Sequence, residues 1–407
     1  MLELFPTSAR VADGELSLGG LRASDLAAEF GTPLVVYCEE TIREQVRAYR
    51  EAAPGAVIVY GTKAFANVAL LKLLAEEDVG ADVSTLGELA FARAAGIPGE
   101  KLVFHGNNKS EEELRAAAEA GALVVLDVSG EAQRAAAAGV KRVMVRITPD
   151  VEAVTHRSIQ TAHAQSKFGL VPDEAAREVG AALALGVAVE GVHIHVGSQL
   201  GRVEESLVAL ERVLTFCRAL DWTPRYIDLG GGLGVRHNCE EQIPSVADFV
   251  GPLVERLPEG VTPILEPGRS LVGRAGVTLY RIGSVKRSGG VTYAAIDGGM
   301  SDNPRPQLYG ACYEALLANR AEEEPTGEYR IAGKHCESGD VLIDSVELPE
   351  PRAGDVLAVP ATGAYTLALG STYNGLPRPA VVLVADAKAR VIRERETVRD
   401  LLRFESA

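Results

Sequence analysis

Lys63 follows the apolar run "VIVY" at residues 57–60, an ammonium group placed where a buried strand should end. Lysine is seldom buried without a partner, so it is either a surface residue at a strand tip or an amine held for chemistry. Other reactive groups stand at comparable places. Ser84 and Glu88 follow "ADV"; His195 lies in "GVHIHVGSQ" with Ser198 just beyond; Gly230, Gly231 and Gly232 follow "YIDL"; Glu266 opens "EPGR" with Gly268 and Arg269 behind it. Consecutive glycines let backbone N–H groups approach a phosphate with no Cβ in the way, and a guanidinium suits the same anion. A tight turn is the competing reading of the glycines, while "GGGLGV" fits a dinucleotide-binding G-x-G-x-x-G poorly. The proline after Glu266 holds it extended, and a carboxylate fixed there can keep a proton on a heterocyclic nitrogen. His193, two residues before His195, reads as a core histidine. Amine, imidazole, phosphate cradle and carboxylate together match what pyridoxal phosphate requires: a Schiff-base amine, a pyridinium partner and a phosphate site.

Such groups need a scaffold that gathers strand ends. From Val57 onward, short β-rich runs alternate with alanine-rich amphipathic stretches, the pattern of βα units around a parallel sheet. Eight strands are predicted, at Val57–Tyr60, Ala81–Val83, Leu102–Phe104, Leu123–Asp127, Arg142–Ile147, Gly191–His195, Arg225–Leu229 and Thr262–Glu266. Eight is the number that closes a βα barrel, in which reactive groups lie at the C-terminal ends of strands. Between them, helices are predicted over Glu111–Ala120 and Val203–Leu220; Ser110 and Glu113 form a capping box and Gly121 supplies the stop. Residues 150–167 show no periodicity and read as a mobile loop near the site. After about Leu271 the texture changes to short alternating segments such as "VTLYRIGSVKR" and "AVVLVADAKARVIRERE", which predict an antiparallel β domain. The N-terminal "RVADGELSLGG" has the same texture and is expected to pack there. The expected division is 1–33 with the β domain, 34–270 as the barrel and 271–407 as the β domain.

The 407 residues carry 41 Lys+Arg against 56 Asp+Glu, a net charge of −15. That balance repels nucleic-acid phosphates and anionic lipid, so neither is an expected partner. No apolar run approaches spanning length and the start lacks a basic region before an apolar core, which reads as a cytoplasmic protein. Five scattered cysteines without C-x-x-C spacing argue against a disulfide framework and against a zinc site.

The pieces "YGTKA", "GADVSTLGEL", "SKFG", "HVGSQ", "DLGGGLG", "EPGR", "DGGMSDNPRPQLYGA", "CESGD" and "GAYTLALGSTYNGLPRP" run in order across nearly the whole chain. In this the sequence resembles the barrel-type pyridoxal-phosphate decarboxylases, whose barrel is of the alanine-racemase kind, and among them the diaminopimelate decarboxylases. The resemblance implies that Lys63 is the Schiff-base lysine, that His195 stacks on the cofactor ring, and that Ser198, Gly231, Gly232, Glu266, Gly268 and Arg269 bind cofactor. It implies that Tyr365 touches cofactor and substrate and that Arg269 also meets substrate. It further implies a homodimer in which Cys336 and Glu337 reach the other subunit's site. One departure is local: the family often reads Tyr-Ala-x-Lys-Ala-Asn, whereas Gly61 and Phe65 stand here for the alanine and asparagine.

The family also holds ornithine, arginine and carboxynorspermidine decarboxylases, so the substrate is read from the distal end of the pocket. Diaminopimelate ends in a second amino-acid centre and needs opposite charges placed close together. Arg305 and Tyr309 in "RPQLY" suit its carboxylate and Glu337 its ammonium, with Pro304 and Pro306 stiffening the chain around Arg305; a solvated loop arginine is the competing reading. The implied reaction is decarboxylation of meso-2,6-diaminopimelate to L-lysine, the last step of lysine biosynthesis, with Cys336 returning a proton to Cα. Other basic amino acids as substrate, a racemase on the same barrel, and a catalytically silent homologue are the alternatives.

Overall fold

The computed structural model describes residues 1–148 and 166–406. They form two compact units, one of residues 45–234 and 243–270, the other of residues 1–44, 235–242 and from Leu271 onward.

The first unit is a closed barrel of eight parallel strands: β1 (Val57–Gly61), β2 (Gly80–Val83), β3 (Leu102–Phe104), β4 (Leu123–Leu126), β5 (Arg142–Arg146), β6 (Ala188–His193), β7 (Tyr226–Asp228) and β8 (Thr262–Leu265). They pair in chain order, and β8 closes on β1 through Ile264 opposite Val57 and Leu265 opposite Ile58. The strands form because both faces are covered, so most residues along them are apolar, as in the fully buried "LVVL" of β4. Val59, Val103, Leu123, Val125, Met144 and Ile264 pack together as one cluster of the barrel core. The helix Glu111–Ala120 starts on the predicted capping box: Ser110 Oγ accepts from the Glu113 N–H while the Glu113 side chain accepts from the Ser110 N–H. Gly121 ends it at φ 74°, the left-handed conformation glycine adopts without a Cβ penalty. The second predicted helix runs Glu204–Ala219. Most of the predicted loop at 150–167 lies outside the described residues.

The second unit holds a nine-stranded sheet that is mixed rather than wholly antiparallel. Val291–Ile296 runs parallel to Gly327–Ala332, and Leu34–Cys38 runs parallel to Ala380–Ala385. Leu34–Cys38, placed by sequence at the start of the barrel segment, instead fills the middle of this sheet, pairing on its other edge with Gly276–Ser288. All five of its residues are buried, a burden that a central strand of any sheet imposes equally, so texture alone cannot assign it. The N-terminal segment packs in this unit as expected. Arg10–Ala12, Glu15–Leu18 and Leu21–Arg22 form a small antiparallel sheet, and Leu16 and Leu18 join Leu34, Val36, Val277 and Val382 in one core.

Candidate active site

Each barrel strand presents an ionisable residue within two positions of its C-terminal end: Lys63, Asp82, His105, Asp127, Arg146, His193, Asp228 and Glu266 in strand order. Lys63 sits in the turn Thr62–Ala64 just past β1. Its Nζ donates to Asp82 Oδ2 at 2.6 Å; the lysine side chain is about half exposed at 54%, whereas that of the aspartate is only 3% exposed. Gly61 is held by its N–H donating to the Pro267 carbonyl at 3.2 Å. A Cβ built on Gly61 would rest 3.5 Å from Lys63 Nζ and 3.5 Å from Asp82 Oδ2. The departure at Gly61 therefore leaves a small space beside the amine without rearranging it.

On the strand that closes against β1, Glu266 is buried one residue past β8. His105 Nε2 lies 2.6 Å from Glu266 Oε1, and His193 Nε2 lies 3.3 Å from Oε2. Burial alone would raise the Glu266 carboxyl, but the two imidazoles beside it more than reverse that and hold it well below the usual carboxylate range. Asp228 is pushed the other way, well above its ordinary value, by burial and by the neighbouring Glu266 charge. The two carboxyl groups thus shift in opposite directions, as closely spaced carboxyl groups do. Burial draws His193 down to about 4, and it draws His195 well below its ordinary value, helped by Arg146 and Lys63. Both rings are therefore neutral at pH 7.

The glycine run is built for close approach. Gly230 has φ +65° and its N–H donates to Asp228 Oδ1 at 2.8 Å. Gly231 donates to His195 Nδ1 at 3.3 Å, which fixes that ring's tautomer with Nδ1 as acceptor. A Cβ on Gly231 would drive into the Glu266 carbonyl, and one on Gly232, at φ +108°, would come 2.6 Å from the Gly197 carbonyl. Ser198 is half-buried, and Arg269, buried, opens the short helix Arg269–Val272 next to Gly268. Ser84 and Glu88 are spent on each other: the Ser84 N–H and Oγ donate to Glu88 Oε2 at 2.7 and 2.9 Å. Glu88 thus ties down the start of its own helix.

The remaining candidates belong to the second unit. Arg305 is 4% exposed, which rules out the solvated loop arginine. Its Nη1 donates to the Ala364 carbonyl at a long 3.4 Å, and its buried Nε has no hydrogen-bond partner among the described residues. Tyr309 ends the same short helix, Arg305–Tyr309, and is half-buried. Tyr365 sits at φ +57°, a conformation that costs a non-glycine residue about 1–3 kcal/mol and is kept where the surroundings enforce it. Cys336 is an exposed free thiol whose N–H donates to Asn374 Oδ1 at 2.8 Å. Glu337, also exposed, lies 3.5 Å from the Tyr373 hydroxyl and accepts from the Gly339 N–H. His335 and Asp340 anchor this loop from below through a buried 2.6 Å contact.

Residues 39–273 match the family model of the pyridoxal-dependent decarboxylases, pyridoxal binding domain. The chain belongs to this decarboxylase family. It is 42% identical to the diaminopimelate decarboxylase of Actinosynnema pretiosum over 99% of its own length and 95% of the relative's, and 40% identical to that of Bacillus subtilis over 99% and 98%. Among solved structures, the diaminopimelate decarboxylase from M. jannaschii in complex with L-lysine superposes with a TM-score of 0.92 at 33% identity, covering 98% of each chain. The lysine/ornithine decarboxylase of Vibrio vulnificus shares the fold, with a TM-score of 0.78 at 22% identity.

The donor set of this decarboxylase fits pyridoxal phosphate: an accessible amine, a carboxylate held ionised, a neutral imidazole, and backbone where a Cβ would intrude. Sequence reasoning passed over Asp82, His105 and Arg146. The strand-end rule would have found them, since Asp82 closes "GAD", His105 follows "LVF" and Arg146 follows "VMV". His193, read as core, brings its Nε2 to Glu266 instead.

Proposed function

We propose that the protein decarboxylates meso-2,6-diaminopimelate to L-lysine and carbon dioxide with pyridoxal phosphate as its cofactor. The observation that carries this reading is the pairing of a half-exposed Lys63 on Asp82 with a Glu266 carboxyl held well below its ordinary range beside two imidazoles, within a chain 40% identical along its whole length to diaminopimelate decarboxylases.

Bound at this site, the cofactor supplies an electron sink for the pair left on Cα when the carbon–carbon bond to the carboxylate breaks. The protein's residues do the rest. Lys63 is the amine that would hold the cofactor, with Asp82 orienting it. Glu266, ionised, accepts the hydrogen bond of a protonated ring nitrogen, so that the proton rests on the ring rather than on the acid. His195, neutral and locked by Gly231, offers its face to the ring, while Ser198, Gly231, Gly232, Gly268 and Arg269 take the phosphate end. Arg305, with Tyr309, receives the distal carboxylate: its buried, unspent Nε is the kind of donor that a charged oxygen satisfies. Arg269 and Tyr365 contribute to the substrate face, and Glu337 pairs with the distal ammonium. Cys336 gives its thiol proton to Cα once carbon dioxide has left, and solvent restores it. The exposed Cys336–Glu337 loop suits a homodimer in which it serves the other subunit's site, in a cytoplasmic enzyme. The test is to load the purified protein with pyridoxal phosphate and supply meso-diaminopimelate, ornithine, arginine and carboxynorspermidine in turn. Equal amounts of carbon dioxide and lysine from diaminopimelate alone are expected; release from another amino acid instead, or racemisation without carbon dioxide, overturns the reading.

A further inference from the structure

His105 touches Glu266, Asp82 and His193 at the barrel mouth, yet no part of the mechanism above uses it on its own account. It stands one residue past β3, where its N–H donates to the Val83 carbonyl at 2.8 Å and continues the ladder to β2. The loop behind it is clamped by Lys109, 1% exposed, whose Nζ donates to the carbonyls of Gly106 and Val125, each at 2.6 Å, and to Glu131 Oε1 at 2.9 Å. All three ammonium protons are thereby used, and the backbone carrying His105 cannot drift. The ring itself is fixed edge-on to His193, with centroids 4.8 Å apart at 65°.

Its Nε2 faces two carboxylates at once, Glu266 Oε1 at 2.6 Å and Asp82 Oδ1 at 3.7 Å. One of these holds Lys63 and the other is the proposed partner of the cofactor ring. Two buried carboxylates facing each other across a gap repel, and one of them takes a proton unless a donor stands between. We propose that His105 is a positioning residue: its Nε2–H holds the Glu266 carboxylate toward the ring nitrogen and separates it from Asp82, so that the amine end and the ring end of the site are each served by an ionised acid. Remove the imidazole and Glu266 competes for the proton that belongs on the ring.

This rests on the reading of Glu266 as the ring partner, and the experiment keeps the two apart by measuring cofactor affinity as well as turnover. His105→Ala and His105→Gln are compared with wild type for pyridoxal phosphate dissociation constant by absorbance titration, for kcat and KM on meso-diaminopimelate, and for melting temperature. A hydrogen bond to a charged group is worth roughly 10- to 100-fold in an equilibrium or rate. His105→Ala is therefore expected to weaken cofactor binding and to lower kcat by about that factor, with KM within about threefold because His105 does not touch the substrate. His105→Gln, whose amide can stand where Nε2 stands, is expected to recover most of both. Unchanged affinity and kcat in His105→Ala overturn the inference, and so does a loss that glutamine fails to rescue, or failure of both variants to fold, since either makes the ring a packing element only. If wild type binds cofactor yet releases nothing from diaminopimelate, the substrate reading falls while the affinity comparison still judges His105.

Discussion

Glu266→Gln changes one atom in a site where both carboxylate oxygens are already engaged. In the structure Oε1 takes the 2.6 Å hydrogen bond of His105 Nε2 and Oε2 faces His193 Nε2 at 3.3 Å. An amide offers one acceptor and one NH2, so one of the two imidazoles then meets a donor with its own donor. The amide that keeps the shorter bond, to His105, turns its NH2 to His193. The charge that partnered the ring nitrogen is gone in either arrangement. Losing one hydrogen bond to a charged group costs about 1.5–3 kcal/mol, which at about 1.4 kcal/mol per decade is roughly a 10- to 150-fold fall in kcat. The fold should hold, because a neutral side chain of the same size is easier to bury than the carboxylate it replaces. The assay is carbon dioxide release under saturating cofactor, with bound cofactor measured on the same sample. A variant that binds cofactor fully and turns over at the wild-type rate would refute the assignment of Glu266 to the ring.

Gly61→Ala should be tolerated: its Cβ would meet only van der Waals neighbours at 3.5–3.6 Å, and the backbone at φ −66°, ψ 95° is open to alanine, so thermal unfolding should show a gain of about 0.4–1 kcal/mol from the stiffer unfolded chain, and a loss above that size would contradict it. Gly231→Ala should instead destabilise, by roughly 1–3 kcal/mol as overpacking does, because its Cβ meets the Glu266 carbonyl. His193, drawn down to about 4 by burial, refuses a proton that the unfolded chain accepts near 6.5, so stability falls as pH drops through that window; between pH 7 and 5 the share is about 2 kcal/mol, and urea melts of His193→Gln should lack it, equal slopes counting against the neutral histidine. Co-refolding Lys63→Ala with Cys336→Ala chains should restore about a quarter of wild-type activity through mixed dimers with one intact site, and verified mixed dimers without recovery would place both residues on one chain.

The barrel was legible because a parallel strand buried on both faces writes itself as an apolar run, and each of the eight predicted strands overlaps an observed one. The helix from Glu111 was legible to the residue because its capping box and its glycine stop are local chemistry. Leu34–Cys38 was not, since "LVVYC" states only that the strand is buried, while its partners lie about 240 and 345 residues away and pairing at that range leaves no mark in the segment itself. Lys63 and Glu266 could be picked out because Glu266 follows an apolar run directly and Lys63 follows one after only Gly61 and Thr62. Asp82 lies inside its strand and His105 follows a strand of only three residues, so both were easy to pass. Ser84 and Glu88 show the opposite limit: two polar groups at a strand end look reactive until the structure shows them spending their hydrogen bonds on each other. Arg305 was chosen between a solvated and a functional reading, and burial, which sequence does not carry for a single arginine, decides against the solvated one.

Everything proposed for the site depends on Lys63 being the residue that holds the cofactor. Reducing the cofactor-loaded protein with borohydride and mapping the modified peptide by mass spectrometry tests this directly. A single pyridoxyl adduct on Lys63, absent from Lys63→Ala, is the predicted result; an adduct on another lysine, or equal trapping by Lys63→Ala, would contradict it.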